Sequence, residues 1–284
     1  MKLGKLLSDL NELVMFKHSI FSLPFIFIAM IVSADGFFGW KLLFLGVISA
    51  VSARNFAMGY NRYADADIDK DNPRTANRPS VDGRISKKQM KLFIMINALV
   101  FVMTAWVINS LAFWLSFPIL VVLAGYSMFK RFSSMAHLIL GISLGLAPIA
   151  GVVAVEAKIT MWSVLLSLGV MFWVAGFDLL YSLQDMEYDK EKGLHSIPSV
   201  YGDKATLFIS KIFHGLTVLF WTLFVVEAGL GFFAYLAVFL SAVILYKEHQ
   251  IVNKDFTKID RAFFTLNGYL GIMFFVFIIL EKVF

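Results

Sequence analysis

Long apolar runs separated by short polar segments dominate this chain. A helix needs about 20 residues to cross the hydrocarbon core of a bilayer, and the runs lack the alternation of apolar and polar positions that marks strands. Nine runs are long enough to span, at residues 19–34, 40–60, 91–109, 111–129, 136–155, 161–182, 205–226, 229–246 and 263–280. The pattern predicts an all-α polytopic membrane protein with nine transmembrane helices, in which residues 1–284 form a single membrane-embedded domain.

The composition supports this class of protein. Hydrophobic residues make up 59% of the chain and charged residues 16%, whereas soluble domains are about 45–50% apolar. The chain has no cysteine, which excludes disulfides and thiolate chemistry. No small-residue cleavage site follows the first apolar run, so we expect that run to remain as a helix.

The basic residues fall mainly on one side of the predicted helices. Of the 25 lysines and arginines, 20 lie in the N-terminal segment and in the loops after helices two, four, six and eight. Lys41, Lys158 and Lys282 belong to the opposite side. Because cytoplasmic loops are enriched in basic residues, the N-terminus is predicted inside and the C-terminus outside. The net charge of +5 therefore reflects membrane topology and does not indicate nucleic-acid binding.

Two acidic clusters follow helices two and six. They read Asn61-Arg62-Tyr63-Ala64-Asp65-Ala66-Asp67-Ile68-Asp69 and Asp185-Met186-Glu187-Tyr188-Asp189. In a continuing helix, the four-residue spacing of Asn61, Asp65 and Asp69 places three oxygen-bearing side chains on one face. Asp185 and Asp189 repeat that spacing. Because Mg²⁺ prefers carboxylate, phosphate and water oxygens, the clusters predict Mg²⁺ ligands that hold a diphosphate; the alternative is a solvated helix end, which is common for one such cluster but less so for two.

The clusters are four helices apart and share one side of the membrane. This arrangement fits a weak parallel repeat of four-helix units with a ninth helix added. Coincidence is the alternative, because any two even-numbered loops share a side. Asp67 lies off the face formed by Asp65 and is expected to point away, toward an arginine or lysine.

Asp178 and Arg54 are ionisable residues inside predicted helices, where a charge is costly and a functional role is the default interpretation. Asp178 lies deeper in helix six than Asp185, with Tyr181 between them, and either serves the site or pairs with a donor on a neighbouring helix. Arg54 lies about two turns before Asn61. We predict that it either binds an anionic substrate group or is a structural partner of Asp178.

Four basic residues flank the clusters, and each either sets topology or binds diphosphate oxygens. Lys130 and Arg131 end helix four. Arg74 and Arg78 lie in a segment bounded by two prolines, which favours a defined loop over a helix.

The histidines show no metal-ligand spacing, so we interpret all five as surface or packing residues. They are His18, His137, His195, His214 and His249. The 30 phenylalanines are expected to face lipid or pack between helices, although a tunnel for a long isoprenoid would have the same composition.

These motifs together resemble the UbiA-type intramembrane aromatic prenyltransferases over nearly the whole chain. The first cluster with Arg74-Thr75-Ala76-Asn77-Arg78-Pro79 resembles the first signature of that family, and the stretch from Tyr181 to Gly193 resembles the second. Further matches are Asp178 with Tyr181, Lys130-Arg131 with Gly141, and Lys17 with the run Ile20-Phe21-Ser22-Leu23-Pro24-Phe25. Arg62 departs from the family, which often has Asp there, and this leaves Asn61, Asp65 and Asp69 to serve as ligands.

The resemblance implies nine helices around a central cavity that opens laterally to lipid. It implies Mg²⁺ as cofactor, an all-trans polyprenyl diphosphate as donor, and an aromatic acid such as 4-hydroxybenzoate as acceptor in quinone biosynthesis. Metal and basic residues would stabilise the leaving diphosphate, and the allylic carbocation would alkylate the ring carbon ortho to the phenol. The enzyme would lie in the bacterial inner membrane with its site toward the cytoplasm.

Three alternatives remain at this point. The stretch from Tyr181 to Pro198 also resembles relatives that use a naphthoate acceptor for menaquinone synthesis. A cation-coupled transporter could carry intramembrane acids, but such carriers place their sites near the midplane rather than at one membrane face. An inert membrane scaffold would leave the two acidic clusters unexplained.

Overall fold

The computed structural model describes residues 3–15, 23–254, 259 and 262–284, and all regular secondary structure in these ranges is helical. The helices are α1 Leu3–Leu13, α2 Leu23–Ser33, α3 Trp40–Ala64, α4 Ala66–Asp71, α5 Lys87–Ile108, α6 Ser110–Gly125, α7 Ala136–Glu156, α8 Met161–Ser182, α9 Met186–Glu191, α10 Ile197–Glu227, α11 Phe232–Lys254 and α12 Asn267–Val283. A 3₁₀ segment, Tyr126–Arg131, extends α6, and another, Leu183–Asp185, joins α8 to α9.

The predicted all-α membrane protein is confirmed. Within the described residues, eight helical segments are long and apolar enough to cross a bilayer, and α2 is a shorter apolar helix of 11 residues. The first predicted span began at residue 19, and residues 16–22 are outside the described part of the chain. Lys17, His18 and the start of the Ile20–Phe25 motif therefore lie outside it too.

Local sequence signals explain where several helices begin. Ser86, Thr160 and Ser196 each accept a hydrogen bond from the backbone N–H three residues later, in capping boxes that start α5, α8 and α10. Gly202 has φ 80° and interrupts α10, a backbone conformation that glycine adopts without strain. The long apolar part of α10 therefore begins after that residue, as the predicted span from 205 indicates.

Small residues let α7 and α8 approach closely. A Cβ atom at Gly141 would lie 2.4 Å from the carbonyl oxygen of Met171, a distance that no side chain tolerates. At Gly169 on the other face of α8, a Cβ would lie 2.2 Å from Trp221 on α10. Glycine is therefore required at both positions, and α8 is held tightly between its two neighbours.

An aromatic core joins α2, α10 and α12 to α8. Phe25 of α2 stacks on Trp221 of α10 with ring centroids 5.3 Å apart, and Phe274 of α12 meets Trp221 at 4.9 Å. Trp173 of α8 contacts the same cluster, and all four side chains are fully buried. Such pairs add to the stabilisation from burial, so this core fixes α8 in place.

We expect Gly141→Ala to lower the free energy of unfolding by about 1–3 kcal/mol, because the new methyl group forces α7 and α8 apart. Gly215→Ala is the matched control, since a Cβ there meets nothing within 4 Å and alanine favours helix by roughly 1 kcal/mol. Thermal unfolding in detergent measures both. Equal midpoints for the two variants would contradict the close approach.

Candidate active site

The two acidic clusters fold in nearly the same way. Each contains an aspartate that follows one helical segment and caps a helix of six residues: Asp65 has φ −95° and ψ 4°, and Asp185 has φ −100° and ψ 1°. The sequence analysis assumed a helix that continues through Asp65. In the structure the helix is interrupted at that residue. Yet Asp65 N–H still donates to Asn61 O at 2.9 Å and Asp69 N–H to Asp65 O at 2.8 Å, so the four-residue spacing is preserved. This local similarity favours the repeat over coincidence.

The side chains of both clusters line one cavity of about 440 Å³ that reaches into the helix bundle. Eleven of the twelve residues predicted for the site contribute to its wall: Arg54, Asn61, Asp65, Asp69, Arg74, Arg78, Lys130, Asp178, Tyr181, Asp185 and Asp189. Arg131 does not line it. The predicted central cavity is therefore present, and it brings together residues up to 135 positions apart in the chain (Arg54 and Asp189).

Acids and bases alternate around this end of the cavity. Arg78 Nη1 lies 2.7 Å from Asp69 Oδ2, and Lys130 Nζ lies 2.9 Å from Asp65 Oδ2. Arg74 donates through Nε to Asp185 Oδ1 at 3.0 Å and through Nη2 to the other oxygen. Burial works against ionisation of Arg74, but Asp185 raises the pKa of its guanidinium. Three carboxylates of the two clusters, those of Asp65, Asp69 and Asp185, are thus held next to a cation.

The loop between α4 and α5 connects the two clusters. Arg74 of this loop also donates to the Tyr181 hydroxyl at 3.2 Å, and Asn72 donates to Asp185 Oδ1 at 3.2 Å. A direct bond also joins the two clusters: the Tyr188 hydroxyl of the second donates to Ile68 O of the first at 2.6 Å. The loop is irregular between residues 72 and 86, as the two prolines predicted. These bonds set the clusters face to face.

Arg131 is directed away from the cavity. Its two terminal nitrogens donate to the two oxygens of Asp67 at 3.0 and 2.8 Å, and Nη2 also donates to Ala64 O at 2.6 Å. The bidentate bond lowers the pKa of Asp67. The expectation that Asp67 points away toward a basic residue is confirmed. Lys130, not Arg131, presents its charge to the cavity.

The surroundings of Asp65 fit a divalent cation. Burial raises the pKa of its carboxyl, and Lys130 counteracts that effect. Asp65 Oδ1 is buried and accepts no hydrogen bond from the described residues, and such an oxygen has ligand capacity to spare. No three acidic or histidine side chains in the described ranges are clustered tightly enough to hold a metal by themselves. A Mg²⁺ ion here would therefore take part of its coordination from phosphate and water, as is usual for Mg²⁺.

Arg62 determines which way Asn61 points. Arg62 Nη1 donates to Asn61 Oδ1 at 3.1 Å, and Asn61 Nδ2 donates to Asp65 Oδ2 at 2.8 Å. In this arrangement the amide oxygen of Asn61 is already engaged, and the side chain acts as a donor that orients Asp65. An ion bound at Asp65 would need the amide to turn before Asn61 could serve as a ligand.

Arg54 does not pair with Asp178. Its Nη2 donates to the carbonyl oxygens of Val14 at 3.4 Å and Met15 at 3.2 Å, just after α1 ends. Its Nε is buried and has no hydrogen-bond partner within the described part of the chain. No ion pair joins Arg54 to a carboxylate of those residues. Arg54 therefore brings an uncompensated positive charge to the cavity wall.

Asp178 is paired with a histidine. His137 Nδ1 lies 2.7 Å from Asp178 Oδ2, and both residues line the cavity. The interpretation of His137 as a surface or packing residue was wrong, because the close approach of α7 and α8 turns it toward Asp178. The same interpretation is confirmed for His195, which is exposed, and for His214 and His249, which are buried against each other between α10 and α11.

Two features of the site were not predicted. His137 lies one helical turn before Gly141, and a polar residue one turn from a glycine inside an apolar helix is the signal that could have indicated it. The second is α1, whose last carbonyls bind the buried arginines: Arg62 Nε donates to Leu13 O at 3.4 Å. Its leucines recur every three or four residues and so predict an amphipathic helix, but nothing in them indicates contact with α3.

A second, apolar cavity of about 250 Å³ continues from the first. It lies among α3, α5, α6 and α7, toward the end of the bundle opposite the acidic clusters. Residues that line both cavities are Ser49, Phe101, Ile108, Ile119, Leu146, Ala150 and Ala154. The charged end and the apolar extension therefore form one amphipathic space.

Comparison with known proteins identifies the class to which this fold and site belong. The model of the UbiA prenyltransferase family matches residues 22–278, so the chain belongs to that family of integral membrane prenyltransferases. Its curated relatives include 4-hydroxybenzoate octaprenyltransferases from Serratia proteamaculans, 26% identical over 85% of this chain and 83% of the relative, and from Yersinia enterocolitica, 27% identical over 83% and 82%.

Solved structures share the fold. A UbiA homologue from Aeropyrum pernix K1 is 32% identical, with a TM-score of 0.84, and the match covers 93% of this chain and 98% of the homologue. A UbiA homologue from Archaeoglobus fulgidus, bound to DMAPP and Mg²⁺, has a TM-score of 0.79 at 19% identity, over 97% and 99% of the two chains. The class is therefore an enzyme, and the transporter and scaffold alternatives do not hold.

We expect Lys130→Ala to weaken binding of inorganic diphosphate in the presence of Mg²⁺ by about ten-fold or more, since a hydrogen bond to a charged group contributes roughly 1.5–3 kcal/mol. Arg131→Ala should weaken it less than about three-fold, because Arg131 binds Asp67 outside the cavity. Isothermal titration calorimetry measures both. If the losses are equal, the distinction drawn between these neighbouring residues is wrong.

Proposed function

We propose that the protein transfers a polyprenyl group from an all-trans polyprenyl diphosphate to the ring of a 4-hydroxybenzoate-type acid in quinone biosynthesis, with Mg²⁺ as cofactor. The observation that carries the proposal is the alternation of acids and bases at one end of an otherwise apolar cavity. Such a surface suits a ligand that combines a cation with a polyanion and ends in a hydrocarbon. A metal-bound prenyl diphosphate has that composition.

The charged end would hold the diphosphate and its metal. Asp65 and Asp69 on one side and Asp185 and Asp189 on the other are the Mg²⁺ ligands we assign, with Asn61 as a further candidate. Lys130, Arg74 and Arg78 would then bind diphosphate oxygens. Arg131 would contribute through its bond to Asp67. When bound, Mg²⁺ neutralises the negative charge that develops on the departing diphosphate. The homologue bound to DMAPP and Mg²⁺ supports this assignment.

Side chains of the protein would stabilise ionisation of the prenyl diphosphate and protect the allylic cation that results. The C1–O bond of the donor breaks and the diphosphate leaves with the electron pair, while Lys130 and Arg74 donate hydrogen bonds to it. The allylic cation is left beside apolar side chains and the Tyr181 ring, which exclude water. The ortho carbon of the acceptor then forms a bond to C1.

The apolar extension would receive the prenyl tail. Its lining carries the chain of the donor away from the charged end without exposing it to water, and each buried methylene contributes about 0.8 kcal/mol. The small side chains of Ala112, Ala150 and Ala154 leave this space open. Relatives named octaprenyltransferases are consistent with a long tail.

Arg54 would bind the carboxylate of the acceptor. Its buried Nε lacks a partner among the described residues, and a guanidinium binds a carboxylate through two parallel hydrogen bonds. We place the hydroxyl of the same acceptor at Asp178. The relatives named 4-hydroxybenzoate octaprenyltransferases favour this acceptor over a naphthoate.

The site would face the cytoplasm of a bacterial cell, in the inner membrane. The basic residues lie at the same end of the bundle as the acidic clusters, which fits an internal N-terminus. Both proposed substrates are anionic at one end, and an opening toward the cytoplasm gives them access.

Asp185→Asn tests the diphosphate assignment. We expect it to reduce Mg²⁺-dependent diphosphate release by at least about 100-fold, because it removes both a metal ligand and the partner of Arg74. The matched control is Glu187→Gln in α9, two residues after Asp185, since the Glu187 side chain is 80% exposed and outside the cavity. Diphosphate release is measured for both purified variants with polyprenyl diphosphate, Mg²⁺ and 4-hydroxybenzoate. An Asp185→Asn variant as active as the control would rule out the assignment.

Arg54→Lys tests the acceptor. Lysine lacks the planar fork of arginine, so we expect KM for 4-hydroxybenzoate to rise about ten-fold, with the KM for the donor unchanged. Phenol, the same ring without the carboxylate, is the control acceptor. Equal losses on the acid and on phenol would show that Arg54 does not bind the carboxylate.

Ala112→Trp tests the tail. Filling the second cavity should lower kcat/KM for an octaprenyl donor roughly ten-fold relative to geranyl diphosphate. Val121→Trp on the same helix is the control, since Val121 is 71% exposed on the outer surface. The idea fails if chain-length preference does not change, or changes equally in the control.

A further inference from the structure

Among the described residues, His137 is the one histidine that lines the cavity, and it makes one strong contact there. Its Nδ1 lies 2.7 Å from Asp178 Oδ2, and only 6% of the residue is exposed. Its second nitrogen, Nε2, is buried and has no hydrogen-bond partner among the residues that the structure describes. A buried imidazole with one nitrogen bonded to a carboxylate and the other left without a partner is costly, so its presence calls for a function.

The pairing fixes both the tautomer and the carboxylate. A carboxylate can only accept, so His137 carries its hydrogen on Nδ1 and donates it to Asp178. This bond occupies Oδ2 and leaves Oδ1 for another donor. It also gives a hydrogen-bond partner to an aspartate inside a membrane-spanning helix, where an unpaired polar group is expensive.

The packing of α7 against α8 places His137 beside Asp178. Gly141, one turn after His137, allows α7 to approach the backbone of α8 at Met171, and Asp178 lies two turns further along α8. The contact therefore depends on the helix packing itself rather than on a flexible loop.

We propose that His137 is a positioning residue for the acceptor: its hydrogen bond to Asp178 Oδ2 orients the other carboxylate oxygen to accept the hydrogen of the acceptor hydroxyl. The inference rests on the proposed function. As the C–C bond forms between the ortho carbon and C1, the hydroxyl passes its proton to Asp178 and the ring becomes a dienone. Loss of the ring proton and return of a proton to oxygen restore the phenol. The products are the prenylated acid, diphosphate and one proton.

This role separates prenyl transfer from ionisation of the donor. Asp65, Asp185, Asp189 and Lys130 belong to the charged end, and no hydrogen bond joins any of them to His137 within the described residues; Asp189 interacts with His137 only electrostatically. Loss of His137 should therefore impair capture of the cation by the ring and leave release of diphosphate intact. The cation would then be captured by water to give the prenyl alcohol.

The test uses full-length enzyme in detergent with polyprenyl diphosphate, Mg²⁺ and 4-hydroxybenzoate, and measures prenylated acid, prenyl alcohol and diphosphate in parallel. His137→Asn keeps a donor close to the position of Nδ1 and should stay within about three-fold of the wild type in transfer. His137→Gln moves the donor away, and His137→Leu removes it; both should lose transfer about ten-fold, with diphosphate release changed less than two-fold and more prenyl alcohol formed. His137→Leu should add little to Asp178→Asn, because the two act as a unit.

The inference is overturned if the Asn and Gln variants behave alike, if transfer and diphosphate release fall together, or if the losses from His137→Leu and Asp178→Asn multiply. Gel filtration and thermal unfolding of the Asn and Gln variants keep the comparison valid should the Leu variant not fold. A wild type that releases diphosphate but prenylates no aromatic acid refutes the proposed acceptor instead, and the role of His137 falls with it. A wild type that releases no diphosphate refutes the proposed function as a whole.

Discussion

The rest of the structure depends on keeping carboxylates ionised at the edge of a hydrocarbon phase. An isolated buried carboxylate would become protonated, because the cost of desolvating its charge is large. Here three of the carboxylates are held beside cations: Asp65 by Lys130, Asp69 by Arg78 and Asp185 by Arg74. The same pairing leaves both signs of charge facing one cavity, so the face can interact with a metal ion through its acids and with phosphate through its bases. The helices serve to bring these pairs together.

Much of this arrangement could be predicted from the sequence. Long apolar runs defined the helices, because the bilayer forces backbone polar groups to be satisfied within each segment. The four-residue spacing of Asn61, Asp65 and Asp69 indicated a shared face, because helical periodicity is local. The prolines around Arg74 and Arg78 predicted a loop for a similarly local reason. In each case, the information lay within one continuous stretch of the chain.

Contacts across the bundle could not be predicted in this way. The pairing of His137 with Asp178 depends on how closely α7 approaches α8 at Gly141, and the pairing of Arg54 with the carbonyls after α1 depends on where a surface helix docks. Neither has a sequence pattern of its own. The interruption at Asp65 was also missed, since the residues on both sides favour helix.

The central claim is that a metal and a diphosphate bind this charged face together. Calorimetric titration of the enzyme with an unreactive prenyl thiolodiphosphate, with and without Mg²⁺, tests it most directly. The account predicts that Mg²⁺ increases the affinity for the analogue by at least about ten-fold, and that the analogue increases the affinity for Mg²⁺ by the same factor, as linkage requires. Equal affinity for the analogue with and without Mg²⁺ would contradict it.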